Sequence, residues 1–451
     1  MRPRFASVTK AYDVRGTTPD QLDAELALAF GRAYAAEVGV RDGGGSVVVG
    51  HDMRESSPEL AGAIADGIRV EGGDVVLIGL ASTDMLYAAS GVLDLPGVMV
   101  TASHNPAGYN GFKVCRAGAR PIGFDTGLSA IAEAAGELLG QPAGEPRGTL
   151  TERDFLDDYA ALVVSLAPVE GNRRLKVVVD AGNGMAGHTA SAVLDRLDLE
   201  VIPLYFELDG TFPNHEANPL DASTLVDLQA TVRERGADLG LAFDGDADRC
   251  FVVDETGEPV APSAITALIG TRYLAEQPGA TILHNVICSK AVPEIVAERG
   301  GTPVRTPVGH SLIKAEMART GAVFGGEHSG HFYFRDFYLA DSGMLAALHV
   351  MGALAQTDGP VSALMAEFTR YAASGEINST VTDAAAVIEE LSRAFADHDQ
   401  DRLDGLTVSA DTWWFNVRAS NTEPLLRLNV EGVDEQVMAR VRDEALAVIG
   451  G

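Results

Sequence analysis

The chain has 451 residues, 46% of them hydrophobic, which is material for about three domains of ~150 residues, each with its own core. Its net charge of −30 argues against nucleic acid or an anionic membrane as a partner, and an anionic metabolite fits only where basic groups are gathered locally. Three cysteines (Cys115, Cys250, Cys288) without CxxC spacing suit a reduced, cytoplasmic protein, and the opening MRPRFASVTKAY lacks the apolar run of a signal peptide.

From residue 46 an apolar strand, SVVVGHD, is followed by a helix-period segment, SSPELAGAIADGIRVEG, and a second strand, DVVLIGL. This alternation predicts a parallel α/β sheet. The next strand-like run, PGVMV, leads into TASHNP at 101–106. Three readings of that hexapeptide stay open: a turn built from Ser, Asn and Pro, a hydrolase nucleophile at Ser103, or a serine that carries a transferable group. The sequence is not the G-x-S-x-G elbow of α/β hydrolases. Lysine is scarce, five residues against 29 arginines. Lys113, ten residues after Ser103, and Lys290 in CSKAVPE therefore stand out as compact cations, although chance placement explains them as well.

GQPAGEPRG (140–148) reads as a linker. The alternation returns at LKVVVD (175–180), EVIPLYF (200–206) and ADLGLAFD (237–244). GNGMAG (182–187) is a literal dinucleotide-binding fingerprint, but close strand-to-helix packing accounts for its glycines. DGDADR (244–249) follows an apolar strand and sets three carboxylates at alternate positions on a turn. Such a cluster repels itself unless a hard cation such as Mg2+ or Ca2+ is held there. It is no EF-hand, because Arg249 stands where the loop glycine belongs and strands flank it.

After the turn DETGEPVAPS (254–263) come TILHNVI (281–287), TPVRTPV (302–308) and GAVFGGE (321–327), a third α/β stretch. GGEHSGH (325–331) presents Glu327, His328, Ser329 and His331: a carboxylate and a hydroxyl to hold sugar hydroxyls, and a histidine to move protons. MLAALHVMGALA (344–355) is shorter than the ~18 residues of a membrane span and reads as a buried helix. Around YAASGE (371–376) the pattern changes to short strands (INSTVT, GLTVSA, TWWFNVRAS, PLLRLNVEG) and two helices, a smaller α+β domain. Within it, RASNTEPLLR (418–427) combines a guanidinium, hydroxyls, an amide and turn N–H groups, the makings of a phosphate cradle or of an ordinary Ser/Thr turn.

KAYDVRG (10–16), TASHNP, NGFK (110–113), DGDADR, VGH (308–310), GGEHSGH and RASNTEP, in this order and over nearly the whole chain, resemble the α-D-phosphohexomutase family and within it the phosphomannomutase/phosphoglucomutase branch. The resemblance implies an α/β protein of four domains around a central cleft, three related α/β domains with mixed sheets plus a C-terminal α+β domain. The expected boundaries are 1–147, 148–252, 253–368 and 369–451. Ser103 is then a phosphoserine, and Asp244, Asp246 and Asp248 hold Mg2+ with a phosphoserine oxygen as a further ligand. Phospho-Ser103 gives its phosphoryl to a hexose 1-phosphate, and the hexose 1,6-bisphosphate returns its other phosphoryl to leave hexose 6-phosphate. The same bisphosphate is the expected activator of a dephosphorylated protein.

The resemblance further assigns Arg418, Ser420, Asn421 and Thr422 to the phosphate that is not reacting, and Glu327 and Ser329 to sugar hydroxyls. Arg249, Arg15, Lys113 and Lys290 would supply positive field inside an acidic protein. Lys113, Arg15 and His331 are the candidates for acid and base, with His104 and His310 as supporting donors. Lys113 can act as base only where its surroundings depress its pKa. His328 and Asn421 favour mannose and glucose over glucosamine, while Ser82–Asp84 replaces a more common Thr-Pro turn. The expected partners are small sugar phosphates, with neither nucleic acid nor membrane, on a cytoplasmic monomer or weak dimer. The rival readings are a phosphoglucosamine mutase and an aspartyl-phosphate phosphatase built on Asp244.

Overall fold

The valine-rich run at 46 becomes the middle of a mixed sheet. The computed structural model describes residues 3–171, 173–419 and 425–450, less the side chains of His310 and Ser311. Ser46–His51 pairs in parallel with Asp74–Leu80 on one side and Gly97–Val100 on the other. Strands buried on both faces read as continuous apolar runs, as SVVV and GVMV do. Beyond Gly97–Val100 the sheet turns antiparallel, through Tyr109–Arg116 to Val14–Thr17. TASHNP therefore leaves the carboxyl end of the last parallel strand, where ligands gather in open α/β sheets.

The second sheet repeats the device. Leu175–Asp180 pairs in parallel with Leu199–Leu204 and Leu239–Phe243, and Leu239–Phe243 then pairs antiparallel with Cys250–Val253. DGDADR thus occupies the same kind of position as TASHNP, between a parallel strand and an antiparallel one. The alternation read from the sequence falls on these strands to within about two residues, the usual uncertainty of element ends.

The described residues form two compact units. One, Met1–Val260 with Ser329–Leu364, holds both sheets above, the hairpin Phe332–Phe334/Ala340–Asp341 and the helix Gly343–Ala355. Every residue of that helix is buried, so its apolar run is a core element. No described helix is long and apolar enough to cross a membrane. The other unit, Ala261–His328 with Met365–Gly451, holds the parallel strands Thr302–Thr306, Thr281–Asn285 and Phe324–Gly326. It also holds an antiparallel sheet in the order Ala372–Thr380, Leu425–Gly432, Trp413–Ala419, Leu406–Ser409, Asp399–Asp401. Two helices, Ala384–Ala394 and Glu435–Ile449, close its core of Leu391, Phe415, Leu428 and Val441. Its first strand starts five residues before INSTVT, because a bulge between Ala373 and Glu376, with Gly375 at φ +68°, lets the strand continue through YAASGE.

In the first unit the helices Ala24–Glu37 and Ser57–Val70 cross with their backbones in contact. A Cβ on Gly31 would lie 2.3 Å from the Ile64 carbonyl oxygen, and one on Gly67 2.3 Å from that of Leu28. Gly31→Ala and Gly67→Ala are each expected to cost about 1–3 kcal/mol by overpacking, read as a lower denaturant midpoint at unchanged slope. An unaltered midpoint would show that the helices can part without loss.

Candidate active site

Ser103 sits at φ +50°, a left-handed conformation uncommon for a side-chain-bearing residue. Its N–H donates to the Thr101 hydroxyl at 2.9 Å, which helps hold the turn. A larger hold comes from Arg54, a residue the sequence reading passed over. Its buried guanidinium donates to the carbonyls of Ser103 (2.9 Å), Asn105 (2.6 Å), Pro106 (2.8 Å) and Tyr109 (3.0 Å), and its Nε donates to Asp52. One cation thus gathers the backbone of the whole loop. The only hint in the sequence is HDMR directly after a parallel strand.

The carboxylate loop docks on this turn through a glycine. A Cβ on Gly245 would lie 2.4 Å from the Ser103 carbonyl oxygen. The opposite side of Gly245 meets the GNGMAG turn. A Cβ on Gly184 would fall 2.7 Å from the Gly245 carbonyl oxygen, and Met185 N–H donates to that oxygen at 2.9 Å. Close packing is therefore what these glycines serve.

The docking brings Ser103 Oγ to donate to Asp244 Oδ2 at 2.8 Å, the same atom that accepts from Arg249 Nε at 2.8 Å. Lys113 Nζ donates to Asp246 Oδ2 and to Asp248 Oδ2, both at 2.6 Å. All three aspartates, Lys113 and Arg249 are buried. Oδ1 of Asp246 and Oδ1 of Asp248 are buried and have no hydrogen-bond partner among the described residues, and one ligand atom from each aspartate lies within 4.8 Å of the others. Lys113 and Arg249 leave one of the three negative charges uncompensated. An oxygen-lined, net-negative cage with open lone pairs fits a hard divalent cation.

The electrostatics follow from this geometry. Burial alone would lower the Lys113 pKa, but Asp246 and Asp248 hold its ammonium well above the ordinary lysine value. This geometry favours the ammonium form of Lys113. Asp246, which burial would raise, is held far below the carboxylate range chiefly by Lys113. Burial pushes Asp244 up, against the pull of Arg249. The charge of Arg249, then burial and Arg15, keep His104 well below the usual histidine value and so neutral. Its Nδ1 lies 3.2 Å from Ser103 Oγ.

Arg15 donates to Asn105 Oδ1 at 2.6 Å and pairs with Asp13, at the edge of the same loop. His331 Nε2 is 3.6 Å from Asp248 Oδ1, and its Nδ1 is 2.8 Å from the Ser329 hydroxyl. A backbone bridge between Arg249 and His331 staples the two loops together. The first unit thus gathers Ser103, His104, Arg15, Lys113, Asp244, Asp246, Asp248, Arg249, Ser329 and His331.

In the second unit, Glu327 is buried and accepts from Asn285 Nδ2 at 3.2 Å and Gly309 N–H at 3.3 Å. Lys290 opens the helix Ala291–Glu298 and lines a cavity of about 180 Å³ with Arg305 and Trp414. Arg418 pairs with Glu376 at 3.4 Å. Burial lowers the pKa of His328. Ser420, Asn421, Thr422 and the side chain of His310 lie outside the described residues.

A buried serine hydroxyl on a carboxylate cage at the carboxyl ends of parallel strands places the chain with the α/β proteins whose sites lie at those strand ends. Models of the phosphoglucomutase/phosphomannomutase family match in four consecutive segments: the alpha/beta/alpha domains I, II and III over residues 6–138, 153–257 and 261–371, and the C-terminal domain over 376–448. A protein of Xanthomonas campestris pv. campestris described as belonging to the phosphohexose mutases is 40% identical over 444 residues, covering 97% of this chain and 98% of its own. A phosphomannomutase/phosphoglucomutase of Pseudomonas syringae pv. tomato is 38% identical, over 97% of this chain and 93% of its own. The crystal structure of a phosphoglucomutase/phosphomannomutase family protein from Burkholderia thailandensis matches with a TM-score of 0.89 at 35% identity, over 100% of this chain and 99% of that one. The chain belongs to the phosphoglucomutase/phosphomannomutase family. It is a hexose phosphate mutase, an isomerase.

Gly245→Ala tests whether loop docking sets the site. The added methyl must push the Ser103 carbonyl away, so turnover is expected to fall about 10²-fold with an unchanged far-UV circular dichroism spectrum. Wild-type turnover would show that the contact does not govern the geometry.

Proposed function

We propose that the chain interconverts hexose 1-phosphates and hexose 6-phosphates, with mannose and glucose as the sugars, through a phosphoserine at Ser103 and a hexose 1,6-bisphosphate. The observation that carries this reading is the position of Ser103 Oγ, 2.8 Å from Asp244 Oδ2, beside two buried carboxylate oxygens without partners among the described residues. Arg249 adds the complementary feature. Its Nη2 is also buried without a hydrogen-bond partner among the described residues, a cationic donor available to a phosphoryl oxygen next to Ser103. The dual name of the Pseudomonas syringae relative supports the pair of sugars over glucosamine.

Asp244, Asp246 and Asp248, with a phosphoserine oxygen, would hold Mg2+, which neutralises the charge of the transferring phosphoryl when bound. The protein's own groups align the reaction. Arg54 fixes the Ser103 turn, and Lys113 and Arg249 balance the aspartates while their positive field favours the phosphoryl group. His331, with Nδ1 held by Ser329, moves the proton of the sugar hydroxyl, and neutral His104 bonds to Ser103 Oγ. Arg15 and Lys290 add positive field for the sugar phosphate. Glu327 and Ser329 hold sugar hydroxyls, and Arg418 with Ser420, Asn421 and Thr422 holds the phosphate at rest, with His310 as a further donor. Hexose 1,6-bisphosphate primes the unphosphorylated form. The four matched segments support four domains, proposed at 1–147, 148–252, 253–368 and 369–451, with the second and third matches ending at 257 and 371.

The test is ³¹P NMR with Mg2+ and a trace of glucose 1,6-bisphosphate, offering mannose, glucose and glucosamine 1-phosphates separately. The first two are expected to become 6-phosphates, with little of the third. Conversion of glucosamine 1-phosphate alone would overturn the choice of sugars, and release of free phosphate alone would overturn the mutase reading. Ser103→Ala is expected to lower kcat by about 10⁴-fold or more, the scale of losing a covalent carrier. Chelation is expected to stop the wild type reversibly, with turnover restored by added Mg2+; turnover that persists through chelation would overturn the metal requirement.

A further inference from the structure

Asp84 is fully buried, makes its hydrogen bonds outside the carboxylate cage, and has no part in the mechanism above. Its carboxylate accepts from three hydroxyls: Ser82 on Oδ1 at 2.5 Å, and Tyr159 at 2.7 Å and Ser342 at 2.6 Å on Oδ2. Tyr159 lies in the helix Leu156–Leu166, and Ser342 caps the helix Gly343–Ala355 by accepting from Leu345 N–H at 3.1 Å. Ser82 caps the helix Thr83–Leu93 in the same way, accepting from Met85 N–H. Side chains from residues 82, 159 and 342 thus converge on one buried anion. Burying a charge is costly unless hydrogen bonds compensate it. An acidic residue in the first turn of a helix is ordinary at the surface, but here it is buried.

Thr83, between Ser82 and Asp84, grips the carboxylate loop twice. Its Oγ1 donates to Asp246 Oδ2 at 2.6 Å and its N–H to the Asp246 carbonyl at 3.0 Å. With Lys113 donating to the same Oδ2 at 2.6 Å, that oxygen is fully engaged. The Asp246 carboxylate is thereby turned so that Oδ1 remains open. The rotation of Asp246 thus depends on where Thr83 stands, and the position of Thr83 depends on the clamp around Asp84.

We infer that Asp84 is a positioning residue for the cation cage, acting through Thr83 on Asp246. It touches neither the reacting atoms nor the cage itself. The inference rests on the cage being a metal site, and the test below separates the two.

The probe is Mn2+, titrated by electron paramagnetic resonance into the wild type, Asp84→Asn, Thr83→Val and the double variant, with melting temperatures alongside. Asp84→Asn and Thr83→Val are each expected to weaken Mn2+ binding about tenfold, the scale of losing an outer partner of a metal ligand. The double variant is expected to be no weaker than Thr83→Val alone, because both act along one chain of contacts. For Asp84→Asn, kcat is expected to fall at unchanged KM for the sugar phosphate. A lower melting temperature with wild-type Mn2+ affinity would overturn the inference and leave Asp84 a purely structural residue. Multiplying effects in the double variant would overturn the route through Thr83. If Asp84→Asn does not fold, Tyr159→Phe and Ser342→Ala each remove one donor and leave the carboxylate in place. Weaker Mn2+ binding in these variants supports the inference, and unaltered binding overturns it. A wild type that binds no Mn2+ overturns the metal reading and the inference with it.

Discussion

The burial of three carboxylates within six residues is the constraint on which the rest of the site depends. Removing one such group from water costs several kcal/mol unless its charge is met in place. Here it is met unevenly. Asp244 receives Ser103 and Arg249 on one oxygen, and Asp246 receives Thr83 and Lys113 on one oxygen. The donors leave one negative charge and two buried oxygens unsatisfied among the described residues. A cage that attracts a hard cation next to a serine hydroxyl suits phosphoryl transfer, where aligning and neutralising charge is most of the work.

The backbone is what makes the burial possible. TASHNP and DGDADR both leave the carboxyl end of a parallel strand and return as an antiparallel one, so each sheet presents one tight loop at its edge. Gly245 lets the two loops touch, with Gly184 behind it, and no larger residue fits at either position. Arg54 then fixes four carbonyls of the serine loop. The left-handed Ser103 and its hydroxyl are thereby set against Asp244 with little freedom to move. A hydroxyl held so closely needs small reorganisation to accept or release a phosphoryl group.

Much of this was legible in the residues. Continuous apolar runs mark strands buried on both faces, so LKVVVD and TILHN could be placed closely. DGDADR was legible because no packing rule explains three carboxylates on a turn after LGLAF. Arg54 was not, because an arginine that binds carbonyls looks like any surface arginine until the chain is folded. Thr83 and Asp84 were hidden for a related reason. Their partners, Asp246, Tyr159 and Ser342, are far away in sequence, and Ser-Thr-Asp at the start of a helix looks like ordinary capping. The state of Lys113 was also beyond reach. Its residue type allows a base or a fixed cation, and the two aspartate oxygens at 2.6 Å that favour the cation lie far away in sequence.

The measurement that bears most directly on this account is the location of the phosphoryl group on the protein. The purified chain would be incubated with Mg2+ and glucose 1,6-bisphosphate, digested, and its peptides sequenced by mass spectrometry. The account predicts one phosphoryl group, on Ser103, stable to hydroxylamine and discharged when hexose 1-phosphate is added. A hydroxylamine-labile phosphate on Asp244, or a Ser103 that stays unmodified while the sugar phosphates interconvert, would contradict it.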